Sequence, residues 1–299
     1  MNILMTGATG FIGRTLVQRL QQDGHRVHAW VRDHARARKL LNPQVLASES
    51  LTQHLSNPID VVVNLAGEPI ADKRWTPQRK QALRSSRIDL TQTLIEALER
   101  NGQQPGAFIS GSAIGFYGSQ PPDLTLDEDS GFAAGFTHEL CADWEQAALQ
   151  YRAENSRVCL LRTGVVLGKG GGALAKMLPP FKLGLGGPIG DGRQIMSWIH
   201  LDDWINACMH LIENQGLAGA FNFTAPEPVS NQQFTAALAR AVRRPAIFRV
   251  PCKVLELAMG EASELLCQGQ KVVPRRLLGS GFEFAHTDIQ DAMNAVAGR

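Results

Sequence analysis

The stretch NILMTGATGFIG, residues 2–13, runs from a short apolar segment straight into glycines at positions 7, 10 and 13. Asn2–Thr6 has the length and apolar content of a buried strand, and beyond Arg14 the residues Leu16, Val17 and Leu20 form the stripe of an amphipathic helix. A chain that turns this sharply from strand to helix, with bare backbone facing an anion, needs positions without a Cβ. The order of strand, glycine turn and helix therefore predicts a dinucleotide pyrophosphate on the helix N-terminus. Its contacts would be Gly7, Thr9, Gly10, Phe11, Ile12 and Gly13.

Outward from this motif, apolar runs at 26–31, 59–65, 107–110 and 157–162 alternate with helical patterns. The alternation predicts an α/β fold, a Rossmann-like doubly wound parallel sheet with helices on both faces. Leu83, Leu90, Leu94 and Leu98 share one helical stripe, opened by Thr76 as N-cap with Pro77 in the first turn. Beyond Val165 the texture changes to the glycine clusters at 170–172, 184–187 and 190–192, followed by helical patterns at 173–181, 202–213, 231–242 and 253–266. We expect a dinucleotide-binding domain over 1–165, to which 202–224 returns, and a smaller, mostly helical substrate lobe over 166–299.

The end of the second strand sets the choice of dinucleotide. An acidic residue there suits the ribose 2′-hydroxyl of NAD, and a cation suits the 2′-phosphate of NADP. Val31 takes the acidic position and Arg32 follows, with Arg36, Arg38 and Lys39 nearby, so NADP(H) is expected. The alternative is an exposed basic loop with Asp33 on the ribose.

Composition excludes several other classes. Of 299 residues 44% are apolar, and 30 basic residues against 28 acidic ones leave a charge of only +2, so no nucleic-acid or membrane partner is expected. Met1–Met5 lead into the glycine turn and not into a cleavage site, and no apolar run is long enough to span a bilayer; a cytoplasmic protein is the expectation. Five scattered cysteines without a C-x-x-C pair predict neither a zinc site nor a disulfide framework, and no metal is expected.

TGATGFIG (6–13), NLAG (64–67), IDLTQTLIEAL (88–98), SAIGFYG (112–118), LLRTGVVLG (160–168) and WIHLDD (198–203) together resemble the extended short-chain dehydrogenase/reductase family of nucleotide-sugar epimerases and dehydratases. GEPIADKRW (67–75), KMLPPFKLGLGGPIG (176–190) and GQKVVPRRLL (269–278) are similar to its YfcH-type branch, whose C-terminal extension corresponds to 251–296. The resemblance implies bound NADP(H), a small carbonyl or sugar-type substrate and, as further partner, a second copy in a homodimer. It implies cofactor contacts from the backbone of Leu65 and Ala66, from Gly67, and from Val166. At Arg87 the family commonly has Asn; a cation there would bind a cofactor phosphate or an anionic substrate, or else form a solvent salt bridge with Asp89 or Glu96. The same likeness has Asp202 capping the helix after His200. The glycine-rich loop 184–193 either faces the substrate, with Arg193 available for an anionic group, or is a plain connector, and Trp75 either walls the pocket or simply packs.

The family's proton-transfer group is a Tyr-x-x-x-Lys pair on one helix face, with a serine holding the substrate oxygen. This chain has two tyrosines, Tyr117 and Tyr151, each followed four residues later by Pro121 and Asn155. Alignment with the family puts Thr137 at the tyrosine position, Cys141 at the lysine position, and Ser112 and Ala113 at the two serine positions. The substitutes are Tyr117, at the rim of the fifth strand, His138, Glu139 and Ser112, each with a structural role as the plainer alternative. Two functions follow: an epimerase or oxidoreductase with an atypical proton donor, or a non-catalytic NADP(H)-binding protein.

Overall fold

Seven segments form one all-parallel sheet: Asn2–Thr6 (β1), Arg26–Trp30 (β2), Leu46–Ser48 (β3), Val61–Asn64 (β4), Ala107–Ala113 (β5), Arg157–Thr163 (β6) and Gly219–Phe223 (β7). The computed structural model describes residues 1–297. Strand order is β3-β2-β1-β4-β5-β6-β7. Side chains alternate as a strand requires: Ile3, Met5, Val61, Val63, Ile109 and Leu161 enter one buried cluster with the helices Phe11–Gln22 and Leu201–Glu213. Leu4, Val62, Phe108 and Leu160 point the other way, onto Leu94, Ile95 and Leu98 of the helix Ile88–Arg100. With both faces covered the strands read as near-continuous apolar runs. The order reverses between β1 and β4, and the crevice beyond their carboxyl ends is where open α/β sheets bind ligands.

Three elements differ from the sequence reading. The three-residue edge strand β3 is too short to carry a period. The helix expected from Pro77 through Leu98 breaks into Pro77–Ser85 and Ile88–Arg100, and at the break the Arg87 side chain folds back to donate to the carbonyls of Leu83 (3.1 Å) and Glu68 (2.9 Å). The helix expected over 253–266 is Cys252–Met259, a tight turn at Gly260–Ser263 with Gly260 at φ +63°, and Glu264–Cys267. That reversal brings the Cα atoms of Cys252 and Cys267 to 5.9 Å and the two are disulfide-bonded, which corrects the expectation of no disulfide. Cys141, Cys159 and Cys208 are free and buried.

Val165–Leu167 pairs with Trp198–His200, and a second core of Leu174, Phe181, Trp198, Phe234, Leu238 and Met293 gathers the helices Gly172–Lys182, Asn231–Val242 and Ile289–Ala297. The chain's last third is strapped back onto the sheet. Lys271–Val272 pairs with Thr125–Leu126, Arg275 and Arg276 bridge to Asp129, and the Asp203 carboxylate accepts the N–H groups of Ala285 (2.8 Å) and His286 (2.9 Å). No helix among the described residues is long and apolar enough to cross a membrane.

Candidate functional site

Gly7 leaves β1 at φ +71°, and a Cβ there would lie 2.7 Å from the Leu65 carbonyl carbon. The loop closes with the Gly10 N–H on the Gly7 carbonyl at 2.9 Å. Gly10 caps the helix Phe11–Gln22 without a side-chain bond, and its first turn holds no acidic residue. The amides of that turn and the positive end of the helix dipole are therefore left for an anion. A Cβ on Gly13 would fall 2.1 Å from the Gly7 carbonyl oxygen, so the helix seats against the loop only because Gly13 has none. Such a cradle fits a dinucleotide pyrophosphate.

The crevice floor is held by a relay that begins in β1. The Ala66 N–H donates to Thr6 Oγ1 (3.1 Å), Thr6 donates to Asn64 Oδ1 (2.7 Å), and Asn64 Nδ2 donates to Thr91 Oγ1 (2.8 Å). Leu65, Ala66 and Gly67 thus leave β4 with fixed backbone. Phe11 and Ile12 pack on the sheet core that also holds Val166, and the Phe11 ring lies where Cβ atoms on Gly168 and Gly171 would be. The glycine loop after Val166 consequently sits on the phosphate loop. Thr9 is half-buried in that turn.

Arg32, at the end of β2, is exposed and paired to Glu68 at 2.7 Å, and Arg79 reaches the other Glu68 oxygen at 3.2 Å. These two guanidiniums hold the Glu68 carboxyl below its ordinary pKa. Asp33 is engaged elsewhere: its carboxylate accepts the Arg36 N–H at 2.8 Å as N-cap of the helix His34–Leu40. Arg87 is not the solvent cation of the plainer reading. It lies under Gly67, close to the Trp144 ring at 5.3 Å, with no ion pair among the described residues, and burial works against its charge.

The four proton-donor candidates do not converge. Tyr117 is not at the rim; it is fully buried, donating to Asn222 Oδ1 at 2.7 Å and accepting from Arg162 Nη1 at 3.1 Å. Burial raises its pKa against the opposing effect of Arg162. Ser112 is also buried and donates to Glu145 Oε1 at 2.7 Å, and the same carboxylate takes two bonds from Arg162, at 2.8 and 2.9 Å. His138 faces the Phe116 carbonyl with Nδ1 at 2.6 Å and stacks on Phe132, and Glu139 is exposed. Cys141 is sealed in, and burial pushes its thiol up to about 12. Trp75 is buried, packs on Phe136 and donates to the Ile70 carbonyl, and Arg193 is exposed. A cavity of about 620 Å³ beside Pro188 and Arg240 includes none of the phosphate-loop residues.

Residues 3–223 match the NAD dependent epimerase/dehydratase family. The chain belongs to that family. Residues 250–296 match a domain of unknown function (DUF1731). Over 99% of its length this epimerase/dehydratase family member is similar to the epimerase family protein SDR39U1 homolog, chloroplastic, of Arabidopsis thaliana, at 38% identity and 86% of that protein's length. To the epimerase family protein YfhF of Bacillus subtilis it is 36% identical, over 99% of its own length and 98% of that protein. The crystal structure of human epimerase family protein SDR39U1 (isoform 2) with NADPH superposes with a TM-score of 0.89 at 33% identity, covering 99% of both chains. UDP-glucuronic acid 4-epimerase of Bacillus cereus, 20% identical with a TM-score of 0.79 and 99% and 97% of the two chains covered, shares the fold.

In this family member the helix after the His200 segment is capped by His200 itself, whose Nδ1 accepts the Asp202 N–H at 3.1 Å; Asp202 stands in the first turn and does not cap, which corrects the expectation. The ligand atoms of His200, Asp202 and His286 lie within 4.8 Å of one another. With Nδ1 accepting, however, the ring proton is on Nε2, and neither nitrogen offers a free lone pair to a metal. Burial, then His286 against it, push the His200 pKa down to about 4, with Asp202 opposing. A histidine neutral when folded takes up a proton on unfolding, so stability is full above pH 6.5 and falls as pH drops toward 4. His200→Asn keeps a capping side chain and removes this titration. Urea unfolding should show the wild type losing about 2 kcal/mol more than the variant between pH 7 and 4.5. Equal losses would exclude His200 as the source.

Sequence reasoning missed Glu68, Asn64 and the Glu145–Arg162 pair. The polar Thr6 and Asn64 at the ends of apolar strands were a signal for the relay. Nothing local announces that Arg162 in β6 reaches Glu145 in the helix Phe136–Ala148.

Proposed function

We propose that the protein is an NADP(H)-dependent epimerase-like or oxidoreductase enzyme, acting on a small carbonyl or sugar-type substrate with a proton donor other than the family tyrosine. In this reading 1–165 with 202–224 hold the cofactor, and the rest of the chain from 166 faces the substrate. The observation that carries it is the cradle of Gly7, Gly10 and Gly13 at the sheet's reversal point, with Arg32 at the end of β2 where a 2′-phosphate is read. The human relative crystallised with NADPH supports the same cofactor.

Arg32 would exchange its exposed pair with Glu68 for the phosphate, a stronger charge-assisted partner. By fluorescence titration the wild type is expected to prefer NADPH to NADH by about tenfold or more, and Arg32→Ala to bring the two within about threefold. Equal affinity of the wild type for both would overturn the NADP assignment.

A second reading, cofactor binding without turnover, is favoured by one observation: Ser112 and Tyr117 are tied into a buried network around Glu145 and Arg162. NADPH oxidation against a panel of aldehydes, quinones and nucleotide-sugars separates the two. Turnover that persists through repurification and falls with Arg32→Ala supports the enzyme, and no turnover across the panel supports the binding protein.

A further inference from the structure

The cavity of about 620 Å³ beside Pro188 runs along the helix Asn231–Val242, which contributes Thr235, Ala239 and Arg240 to its lining. Its size is that of a small-molecule site, roughly 300–1,000 Å³. Three more arginines, Arg243, Arg244 and Arg249, line it, and no acidic residue does among the described ones. None of its residues belongs to the phosphate loop.

We propose that this cavity is a second ligand site, built for an organic phosphate that carries two or more negative charges.

Elsewhere in the chain arginines pair with carboxylates, as Arg100 does with Glu96 and Arg275 with Asp127. None of the four around the cavity forms an ion pair among the described residues, in a chain with 28 acidic residues to offer. Two of them are oriented through Nε alone: Arg240 donates to Gln290 Oε1 at 2.5 Å and Arg244 to the Lys182 carbonyl at 3.1 Å. Their Nη groups have no partner among the described residues, and a planar guanidinium matches phosphate oxygens two at a time.

The helix dipole favours a cation at Arg240, in the last turn, whatever the cavity holds. That effect does not reach Arg249, which comes from another segment. On either side of it the Phe248 and Val250 N–H groups donate to the carbonyls of Gly186 (3.2 Å) and Pro188 (2.9 Å), so this cation is held at the cavity by backbone bonds. Nor does it explain Arg243, which caps the helix at φ +54° and ψ +46°, where glycine is the usual residue.

A neutral group points the same way. Thr235 is only 4% exposed, yet it lines the cavity, and its hydroxyl forms no hydrogen bond among the described residues. A buried hydroxyl without a partner is costly unless something in the cavity completes it. A phosphate oxygen accepts from a hydroxyl as readily as from a guanidinium, so Thr235 and the arginines suit one ligand.

The test is calorimetric titration of the full-length protein, saturated with NADPH, by inorganic pyrophosphate. One equivalent should bind beyond the cofactor. The double variant Arg243→Gly, Arg249→Ala should weaken it about tenfold or more; glycine suits the backbone at 243, so the fold is kept. Arg26→Ala with Arg100→Ala removes the same charge from exposed positions outside the cavity and should leave the affinity within about twofold. Thr235→Val, which keeps the side chain's shape and removes the hydroxyl, should weaken binding about threefold or more. No pyrophosphate binding, equal losses in the two arginine pairs, or a Thr235→Val affinity equal to wild type would each overturn the site. Vesicles of equimolar phosphatidylcholine and phosphatidylglycerol separate the two sources of the phosphate. Cosedimentation that is lost in the Arg243→Gly, Arg249→Ala variant assigns it to a lipid headgroup, and protein left in the supernatant assigns it to a soluble compound. Failure of NADPH to bind would sink the cofactor reading alone, because pyrophosphate titrated into the free protein and the same variants still decides this site.

Discussion

Gly13→Ala is expected to raise the NADPH dissociation constant by more than about 100-fold while leaving the protein folded. The added methyl would sit 2.1 Å from the Gly7 carbonyl oxygen, 2.9 Å from its carbon and 3.0 Å from Ala8 Cα, all of them backbone atoms. No rotamer relieves contacts with backbone. The helix cannot slide away either, since Leu16, Val17 and Leu20 fix its buried face in the sheet core. The phosphate loop must open instead, which pulls its amides out of register with the pyrophosphate they would hold. Gly24→Ala is the matched control: Gly24 sits at φ +78° in a turn, so the substitution strains the backbone, but it meets nothing within 4 Å and touches no part of the crevice. Fluorescence titration of NADPH should therefore separate the two variants, with Gly24→Ala near wild type. A Gly13→Ala protein binding within threefold of wild type would refute the cradle as the pyrophosphate site.

What made this motif legible was locality. Strand, turn and helix at residues 2–22 are contiguous, and each constraint acts between near neighbours in sequence. The same holds for the capping of Pro77–Ser85 by Thr76, which accepts the Arg79 N–H, and for the boundaries of Asn231–Val242, where Ser230 and Gln233 form a reciprocal cap. The proton-transfer region obeys the opposite rule. Its polar groups come from β5, from the helix Phe136–Ala148, from β6 and from β7. Periodicity places each of them on its element but says nothing of which other element it meets. Tyr117 therefore read as a rim residue when its hydroxyl is spent on Asn222. The Cys252–Cys267 bond escaped for a related reason, because the turn at Gly260–Ser263 that pairs them interrupts what reads as one helix.

Arg162→Met should destabilise the protein by about 3–5 kcal/mol, seen as a fall in the urea midpoint. Arg162 and Glu145 are both nearly inaccessible, at 7% and 6% side-chain exposure, so their charges have no water to turn to. Glu145 takes two guanidinium bonds, at 2.8 and 2.9 Å, and one from Ser112. Arg162 also lies over the Phe116 ring at 3.5 Å and donates to Tyr117. Truncating the cation leaves Glu145 with a single hydroxyl donor and an uncompensated charge, which is why breaking a buried pair costs more than the pair itself contributes. The double variant Arg162→Met, Glu145→Gln should accordingly recover a substantial part of the loss, since it removes the stranded charge. Because Tyr117 binds Asn222 in β7 and the Asn222 N–H binds Glu128, whose carboxylate also takes the Arg276 N–H, the damage should spread to the extension. Hydrogen exchange is expected to accelerate at 271–277 in the single variant. A destabilisation below about 1 kcal/mol, or exchange confined to β5 and β6, would mean that the network is not what fastens the extension to the sheet.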